Sequence, residues 1–213
     1  MALLKPREAS IRDTGHHEMS RWRDVLRGGF GRGVFPHQLW FLLEIPGLRF
    51  VQPPARLAQR LRLSTSSRVL EIGPGSGFFS VALAKCVPDG HLALLDLQPA
   101  FLARVERKLS NAGFRHFSCT AGNACDLPFP DGRFDAVVLV TVLGEITDRP
   151  RCLGEVLRVL RRRGLLSITE LGIDPDCVPR KELDLLATGA GFEFVEAWGT
   201  PRRYTAHFRR PQD

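Results

Sequence analysis

The stretch that decides the fold reads VLEIGPGSGF over residues 69–78. A short, mostly apolar run leads into three glycines spaced two apart, and apolar residues at helical spacing follow over residues 77–86. Glycines let the backbone turn sharply and let a ligand approach without a Cβ in the way. The N-terminus of the helix behind them offers unpaired N–H groups. The stretch therefore predicts a strand, a ligand-binding turn and a helix.

Outward from this turn, apolar strands and amphipathic helices alternate. The predicted strands are residues 68–72, 91–97, 114–121, 134–141, 164–171, 192–198 and 204–208, and the predicted helices are residues 77–86, 99–112, 152–162 and 180–188. Strands separated by helices pair in parallel through right-handed crossovers. Too few residues join the last two strands for a crossover, so these must be antiparallel. The sequence thus predicts a Rossmann-like, doubly wound α/β fold, whose seven-stranded sheet has an antiparallel C-terminal hairpin.

Three zones divide the chain. Residues 1–35 are polar and basic and are predicted to be a flexible N-terminal arm with one short helix near residues 19–26. Residues 36–65 are predicted to be a helical lid, because an aromatic-rich stretch precedes a helix that starts at Pro53 and Pro54. Residues 66–213 carry the alternating strands and helices and form the main α/β domain.

Composition excludes several classes of protein. The five cysteines are odd in number and have no C-x-x-C spacing, which argues against a disulfide framework and against a zinc site, so we predict no metal. No apolar run reaches the roughly 18 residues of a membrane helix, and no secretory signal opens the sequence, so we expect a cytoplasmic protein without a membrane span. The oligomeric state is left open.

The net charge of +7 raises the question of a nucleic-acid partner. A basic surface attracts nucleic acid, anionic lipid or acidic substrates. Arginine is scattered along the whole chain, however, and biased coding produces the same picture. Nucleic acid is therefore the less favoured partner.

The glycine spacing argues against a dinucleotide. The dinucleotide fingerprint is G-x-G-x-x-G, whereas here the third glycine comes one place early and residue 78 is phenylalanine. Glu71 precedes the first glycine, and Asp96 ends the second predicted strand. Asp96 can accept hydrogen bonds from both hydroxyls of a ribose, although it can also begin the next helix as its N-cap. A cationic nucleoside without phosphates suits these two carboxylates best.

The motifs resemble those of class I S-adenosylmethionine-dependent methyltransferases. EIGPGSG at residues 71–77 resembles their motif I. GNACDLPF at residues 122–129 and DGRFD at residues 131–135 are similar to a block of the small-molecule branch, the methyltransferase-11-like enzymes of quinone and sterol type. LGEI at residues 143–146 and EVLRVLR at residues 155–161 match the segments after strand 4 and before strand 5.

The resemblance covers roughly residues 55–209 and implies the role of each site residue. It makes residues 66–213 the S-adenosylmethionine-binding methyltransferase domain. Gly73, Gly75 and Gly77 would form the loop under the methionine part of the cofactor, with Glu71 beside them. Asp96 would hold the ribose hydroxyls, Leu97 would lie against adenine, Asn123 and Ala124 would read the adenine edge, and Thr141 would lie near the amino-acid end.

The sequence departs from the family pattern at two places. The adenine-reading position is usually aspartate, but here it is Asn123. Asparagine can still accept a hydrogen bond from the adenine amine through its carbonyl oxygen. The usual K-P-G-G before strand 5 has become RRRG at residues 161–164, which replaces one glycine of a tight turn by arginine.

Methyl transfer needs a general base only when the acceptor atom carries a proton. The candidates are His37 in the predicted lid, Glu145 after strand 4, Glu170 at the end of strand 5 and Tyr204 at the start of the last strand. Each can instead be structural.

The expected function is transfer of a methyl group to a small, partly apolar acceptor. Two alternatives stay open: methylation of RNA or protein, and a non-catalytic binding module that keeps the methyltransferase fold. No Asn-Pro-Pro-Tyr-type motif follows strand 4, where the sequence reads TVLG over residues 141–144.

Overall fold

The predicted sheet is present in the computed structural model of the protein, which describes residues 53–172 and 176–212. Its strands are β1 (Arg68–Ile72), β2 (His91–Asp96), β3 (Phe117–Ala121), β4 (Phe134–Val140), β5 (Leu160–Glu170), β6 (Glu193–Thr200) and β7 (Arg203–Arg209). Their order is β3-β2-β1-β4-β5-β7-β6. Strands β1 to β5 run parallel, and β7 pairs antiparallel with both β5 and β6. The doubly wound sheet with its antiparallel hairpin is therefore confirmed.

Helices cover both faces of the sheet. The described helices are α1 (Pro54–Arg60), α2 (Ser80–Cys86), α3 (Pro99–Asn111), α4 (Arg149–Val159) and α5 (Arg180–Gly189), with a 3-10 helix at Leu143–Glu145. Alternate residues of a strand face opposite sides, so Val69 packs with α1, α2 and α3 while Leu70 packs with α4 and α5. Within the described part of the chain, no helix is long and apolar enough to cross a membrane.

Three predicted helix boundaries are wrong by three residues each, and one of them is the start of the helix expected from residue 152, which begins at Arg149. The helix expected from residue 77 begins at Ser80, because Gly77 has φ +75°, outside the right-handed helical region. The helix expected to reach residue 162 ends at Val159, because Leu160 is extended and pairs with Phe134 of β4. Strand β5 therefore begins four residues earlier than the expected residue 164.

The described part of the predicted lid packs on the sheet. Leu57 and Leu61 are buried in the same cluster as Val69, and the guanidinium of Arg60 lies 4.3 Å from the centre of the Trp198 ring. Residues 53–65 do not line the cleft described below. Residues 36–52 and the predicted arm at residues 1–35 lie outside the described residues.

Arg163 has a left-handed backbone conformation, and the family pattern has glycine at this position. Its φ is +62°, its N–H donates to Arg210 O at 3.1 Å, and Arg210 N–H donates to Gly164 O at 3.0 Å. A residue with a side chain is destabilised by about 1–2 kcal/mol in the left-handed region. Glycine avoids this strain but loses more backbone entropy on folding, so replacing Arg163 with glycine regains only part of this energy.

We expect Arg163→Gly to raise the free energy of unfolding by about 0.5–1 kcal/mol, measured by urea denaturation. The matched control is Arg162→Gly, at a neighbouring position without positive φ, which should lower the same quantity. Equal destabilisation by both variants would contradict the strain at Arg163.

Candidate active site

A cleft of about 450 Å³ opens at the carboxyl ends of β1, β2 and β4. Doubly wound sheets bind their ligands at this edge, where the strand order reverses. The cleft brings together most of the residues that the sequence singled out: Glu71, Gly73, Gly75, Asp96, Leu97, Asn123, Ala124, Thr141 and Glu145.

The glycine turn forms the floor of this cleft. Gly73 has φ +66° and donates its N–H to Leu95 O at 2.8 Å. A Cβ on Gly73 would lie 2.5 Å from Val142 Cγ2, so no larger residue fits there without movement of the segment after β4. Gly77 does not line the cleft. A Cβ at Gly77 would press on Val105 of α3 at 3.1 Å, so this glycine allows the turn to pack against α3.

Two buried carboxylates face the cleft. Asp96 is 7 % exposed and accepts a hydrogen bond from Gln98 N at 2.9 Å. Burial raises the pKa of Asp96, and the N–H groups of Gln98, Gly75 and Leu97 oppose that shift. Asp96 is not a helix N-cap, because Gln98 holds that position for α3.

Glu71 is more strongly perturbed. It is 3 % exposed, and its Oε2 has no hydrogen-bond partner among the described residues. Burial raises the pKa of Glu71 to about 7, and the charge of Asp96 adds to the shift, while Ser80 and the Lys108 ammonium oppose it. A cationic ligand is the group that this pair of carboxylates accommodates best.

Leu97 and Asn123 border the same end of the cleft. Leu97 is 55 % exposed, although it directly follows a buried strand, which leaves its apolar side chain available to a ligand ring. Asn123 Oδ1 accepts a hydrogen bond from Cys125 N at 2.9 Å and keeps its second lone pair. Although asparagine replaces the aspartate of the family pattern, Asn123 Oδ1 therefore keeps one lone pair that can accept a hydrogen bond from a ligand.

Thr141 ends β4 in a strained conformation. Its φ of +53° is rare for a β-branched residue. Its N–H donates to Thr169 O at 2.8 Å, and its Oγ1 donates to Val140 O at 2.7 Å. The strand therefore stops one residue before its predicted end, and the strain lies at the cleft, where such conformations are typical of functional sites.

The four candidate bases lie in different places. Glu145 lines the cleft. Tyr204 is buried away from the cleft-lining residues and donates its hydroxyl to Val178 O at 2.8 Å, and burial raises the pKa of its phenol. Glu170 is fully buried at the end of β5 and does not line the cleft either. His37 lies outside the described residues. Of the three candidates within the described residues, only Glu145 lines the cleft.

An ion-pair network that the sequence analysis missed holds one wall of the cleft. Arg158 of α4 donates to Leu127 O at 2.9 Å and to Phe129 O at 2.8 Å, and it pairs with Glu155 and Asp131. Glu155 Oε2 accepts from Leu127 N at 2.8 Å. These bonds tie the loop after β3 to α4. The acidic and basic residues within residues 155–161 could have indicated this network from the sequence alone.

The fold and the cleft together define the class. A sheet of order β3-β2-β1-β4-β5-β7-β6, with a glycine turn after β1 and a carboxylate after β2, is the architecture of class I methyltransferases. Residues 70–168 match the methyltransferase domain family. This matched segment is somewhat less than half of the chain, and it carries the sequence features of a methyltransferase domain.

Known proteins resemble the chain in sequence and in fold. The ubiquinone/menaquinone biosynthesis C-methyltransferase UbiE of Teredinibacter turnerae is 30% identical over 166 residues, which are 76% of this chain and 58% of that protein. The chain thus spans somewhat more than half the length of this curated relative. A SAM-dependent methyltransferase from Aquifex aeolicus has a TM-score of 0.75 at 19% identity, covering 83% of this chain and 100% of that one.

A further solved structure carries a product-type ligand. The N-methyltransferase NodS from Bradyrhizobium japonicum, in complex with S-adenosyl-l-homocysteine, has a TM-score of 0.62 at 22% identity. The likeness covers 75% of this chain and 89% of that one. At these identities the likeness is one of fold.

We expect Asn123→Asp to strengthen S-adenosylmethionine binding about 3- to 10-fold. A carboxylate accepts a hydrogen bond from the adenine amine more strongly than a neutral amide does, by roughly 1 kcal/mol. It also keeps the bond from Cys125 N. Calorimetric titration at constant pH measures the change, and Asn123→Ala is the control that should weaken binding. A weaker Asn123→Asp variant would contradict the role of this position.

Proposed function

We propose that the protein transfers the methyl group of S-adenosylmethionine to a small, partly apolar acceptor. The observation that carries the proposal is the pair of buried carboxylates, Glu71 and Asp96, which face one cleft at the switch point of the sheet. These carboxylates repel an anionic ligand, whereas the cofactor is a cation with a ribose.

The residues of the cleft fit this cofactor. Asp96 offers acceptor oxygens to the ribose hydroxyls, Leu97 offers an exposed apolar surface to adenine, and Asn123 retains an acceptor for the adenine edge. Gly73 and Gly75 keep the floor free of side chains. When bound, the sulfonium would supply the methyl group to an acceptor atom in line with the C–S bond, whose electron pair would stay on sulfur and give S-adenosylhomocysteine.

Part of the cleft lining is apolar. Phe78, Phe101, Val142 and Ile146 line the cleft, together with the polar Glu145. Such walls bury a flat, apolar ring and exclude water around the reacting atoms. Because the relative from Teredinibacter turnerae is named as a quinone-biosynthesis C-methyltransferase, quinone-type and phenolic rings are the first acceptors to test, with carbon and oxygen as acceptor atoms.

Glu145 is the proposed proton acceptor for an acceptor atom that carries a proton. It lies in the 3-10 helix after β4, on the wall of the cleft. We expect Glu145→Gln to lower kcat at least about 10-fold while the Kd for S-adenosylmethionine changes little. A wild-type kcat would remove Glu145 from the mechanism.

The test has two stages. Titration with S-adenosylmethionine by calorimetry should give micromolar binding, and tritium transfer from the labelled methyl group should then identify an acceptor among phenols, reduced quinones and amines. Absence of cofactor binding would overturn the proposal. Tight binding without transfer to any of these acceptors, or to protein and RNA, would favour the binding-module alternative.

A further inference from the structure

Arginines line the end of the sheet opposite the cleft, where the parallel strands begin. Five of them stand at or just before the starts of parallel strands: Arg68 at β1, Arg115 before β3, Arg133 before β4, and Arg162 and Arg163 in the turn of β5. All five are exposed. We call these five residues the basic edge.

Pairing between the strands shows that the basic edge is continuous. Arg68 is the register partner of His91 at the start of β2, and Leu92 N–H donates to His116 O. The charges of Arg133, His116 and Arg68 all act on His91, so these groups are close together. Five neighbouring strands at about 4.8 Å spacing make this a row of about 19 Å.

The basic edge lacks compensating carboxylates. Within the described residues, none of the five arginines has an ion pair with an aspartate or glutamate. The nearby Asp135 pairs with Arg161 at 2.6 Å and accepts the Arg68 N–H, and Asp131 pairs with Arg158. Asp89, in the turn before β2, and Glu193, at the start of β6 opposite Arg209, are further acids at this end. Arg115, Arg162 and Arg163 donate hydrogen bonds to uncharged carbonyl oxygens, which leave their positive charge uncompensated. The row is therefore an anion-binding surface.

The shape of the row favours a nucleic-acid strand over a membrane. A sheet edge presents a line of charges, and a line matches a linear polyanion better than it matches a plane. Peripheral membrane binding usually combines charge with inserted apolar side chains. The exposed Phe194 and Val195 stand at this end of the sheet but outside the row of arginines, because β6 is separated from β5 by β7. The guanidinium group also binds phosphate oxygens in a bidentate manner.

We propose that the basic edge binds the phosphate backbone of single-stranded nucleic acid without reading its sequence. The site is separate from the cofactor cleft, because the two occupy opposite ends of the strands, roughly 20 Å apart. The bound strand is consequently a ligand and not the methyl acceptor, and its binding does not depend on S-adenosylmethionine.

Fluorescence anisotropy with labelled 20-nucleotide RNA and DNA of mixed sequence tests the proposal. We expect both probes to bind within a few-fold of each other. With up to five phosphate contacts, the plot of log K against log salt concentration should have a slope of about −3.5. A preference above about 10-fold for one probe, or for one base composition, would overturn backbone recognition.

Matched triple variants locate the site. Arg68→Gln/Arg133→Gln/Arg162→Gln should weaken binding at least 10-fold at 100 mM salt and should make the slope less steep by about 2. The control, Lys181→Gln/Arg202→Gln/Arg203→Gln, removes the same charge from exposed positions elsewhere and should change affinity less than about 3-fold. Unchanged thermal unfolding and cofactor affinity of both variants verify folding.

Two results would overturn the proposal. Equal weakening by both triple variants would show a general effect of net charge. The second result is that neither probe binds, while wild type and the control variant sediment with phosphatidylglycerol vesicles and the basic-edge variant does not. That result would assign the row to an anionic membrane.

Discussion

Replacing Asp96 with alanine is expected to weaken S-adenosylmethionine binding by at least about 100-fold. The carboxylate can accept hydrogen bonds from both ribose hydroxyls, and each such bond to a charged group contributes about 1.5–3 kcal/mol. Losing two of them corresponds to a factor of about 100 or more in Kd. The variant should still fold, because the Asp96 side chain makes its hydrogen bonds to the backbone N–H groups of Gln98, Gly75 and Leu97, at the cleft and not in the apolar core.

The matched control is Asp96→Asn. Asparagine retains one acceptor oxygen for Gln98 N–H or for a ribose hydroxyl, so binding should weaken only about 10-fold. Calorimetry gives the Kd of each variant, and thermal unfolding checks the fold. If Asp96→Ala bound the cofactor within a few-fold of wild type, the carboxylate would not contact the ribose.

The strand and helix pattern could be predicted because burial repeats regularly along the chain. The boundaries could not, since single backbone conformations decide them. Arg163, at φ +62°, lies in a turn within β5. The helical spacing of the apolar residues up to residue 162 predicted a helix there instead. Thr141, at φ +53°, stops β4 although its β-branched side chain favours a strand.

The cofactor end of the site was predictable for a different reason. Asp96 and Asn123 follow strands of a parallel sheet, and the ends of such strands meet at one edge. The proposed bases were harder to place because contacts distant in sequence decide their burial. The hydroxyl of Tyr204 meets Val178, 26 residues away, so it packs inside the protein. Gly77 likewise meets α3 and not the cleft.

Replacing Glu71 with glutamine is expected to stabilise the cofactor-free protein at pH 8 and to weaken cofactor binding. Burial raises the pKa of Glu71 from 4.5 to about 7. A carboxyl group with a raised pKa in the folded state stabilises the fold fully below pH 4.5 and loses that contribution as pH rises through 7. Glutamine stays neutral, so Glu71→Gln should be more stable than wild type at pH 8 by up to roughly 3 kcal/mol.

Stability curves and cofactor titrations separate the two roles of this carboxylate. Urea denaturation at pH 4 should show nearly equal stability for wild type and Glu71→Gln, and the gap should open between pH 4 and pH 8. The matched control, Ser80→Ala beside Glu71, keeps the carboxylate but removes a group that lowers its pKa, so it should lose at least as much stability between pH 4 and pH 8 as wild type does.

Cofactor affinity should move in the opposite direction. A cation favours the ionised carboxylate, so the ratio of wild-type to variant affinity should rise as pH increases through 7 and level off near about 10-fold. Taking the ratio cancels the cofactor's own titration. A ratio that stayed flat from pH 5.5 to 8.5 would show that Glu71 does not meet the positive charge. The buried, ionised carboxylate lowers the stability of the empty protein, and the bound cation restores it, so fold stability and cofactor affinity are linked through this one residue.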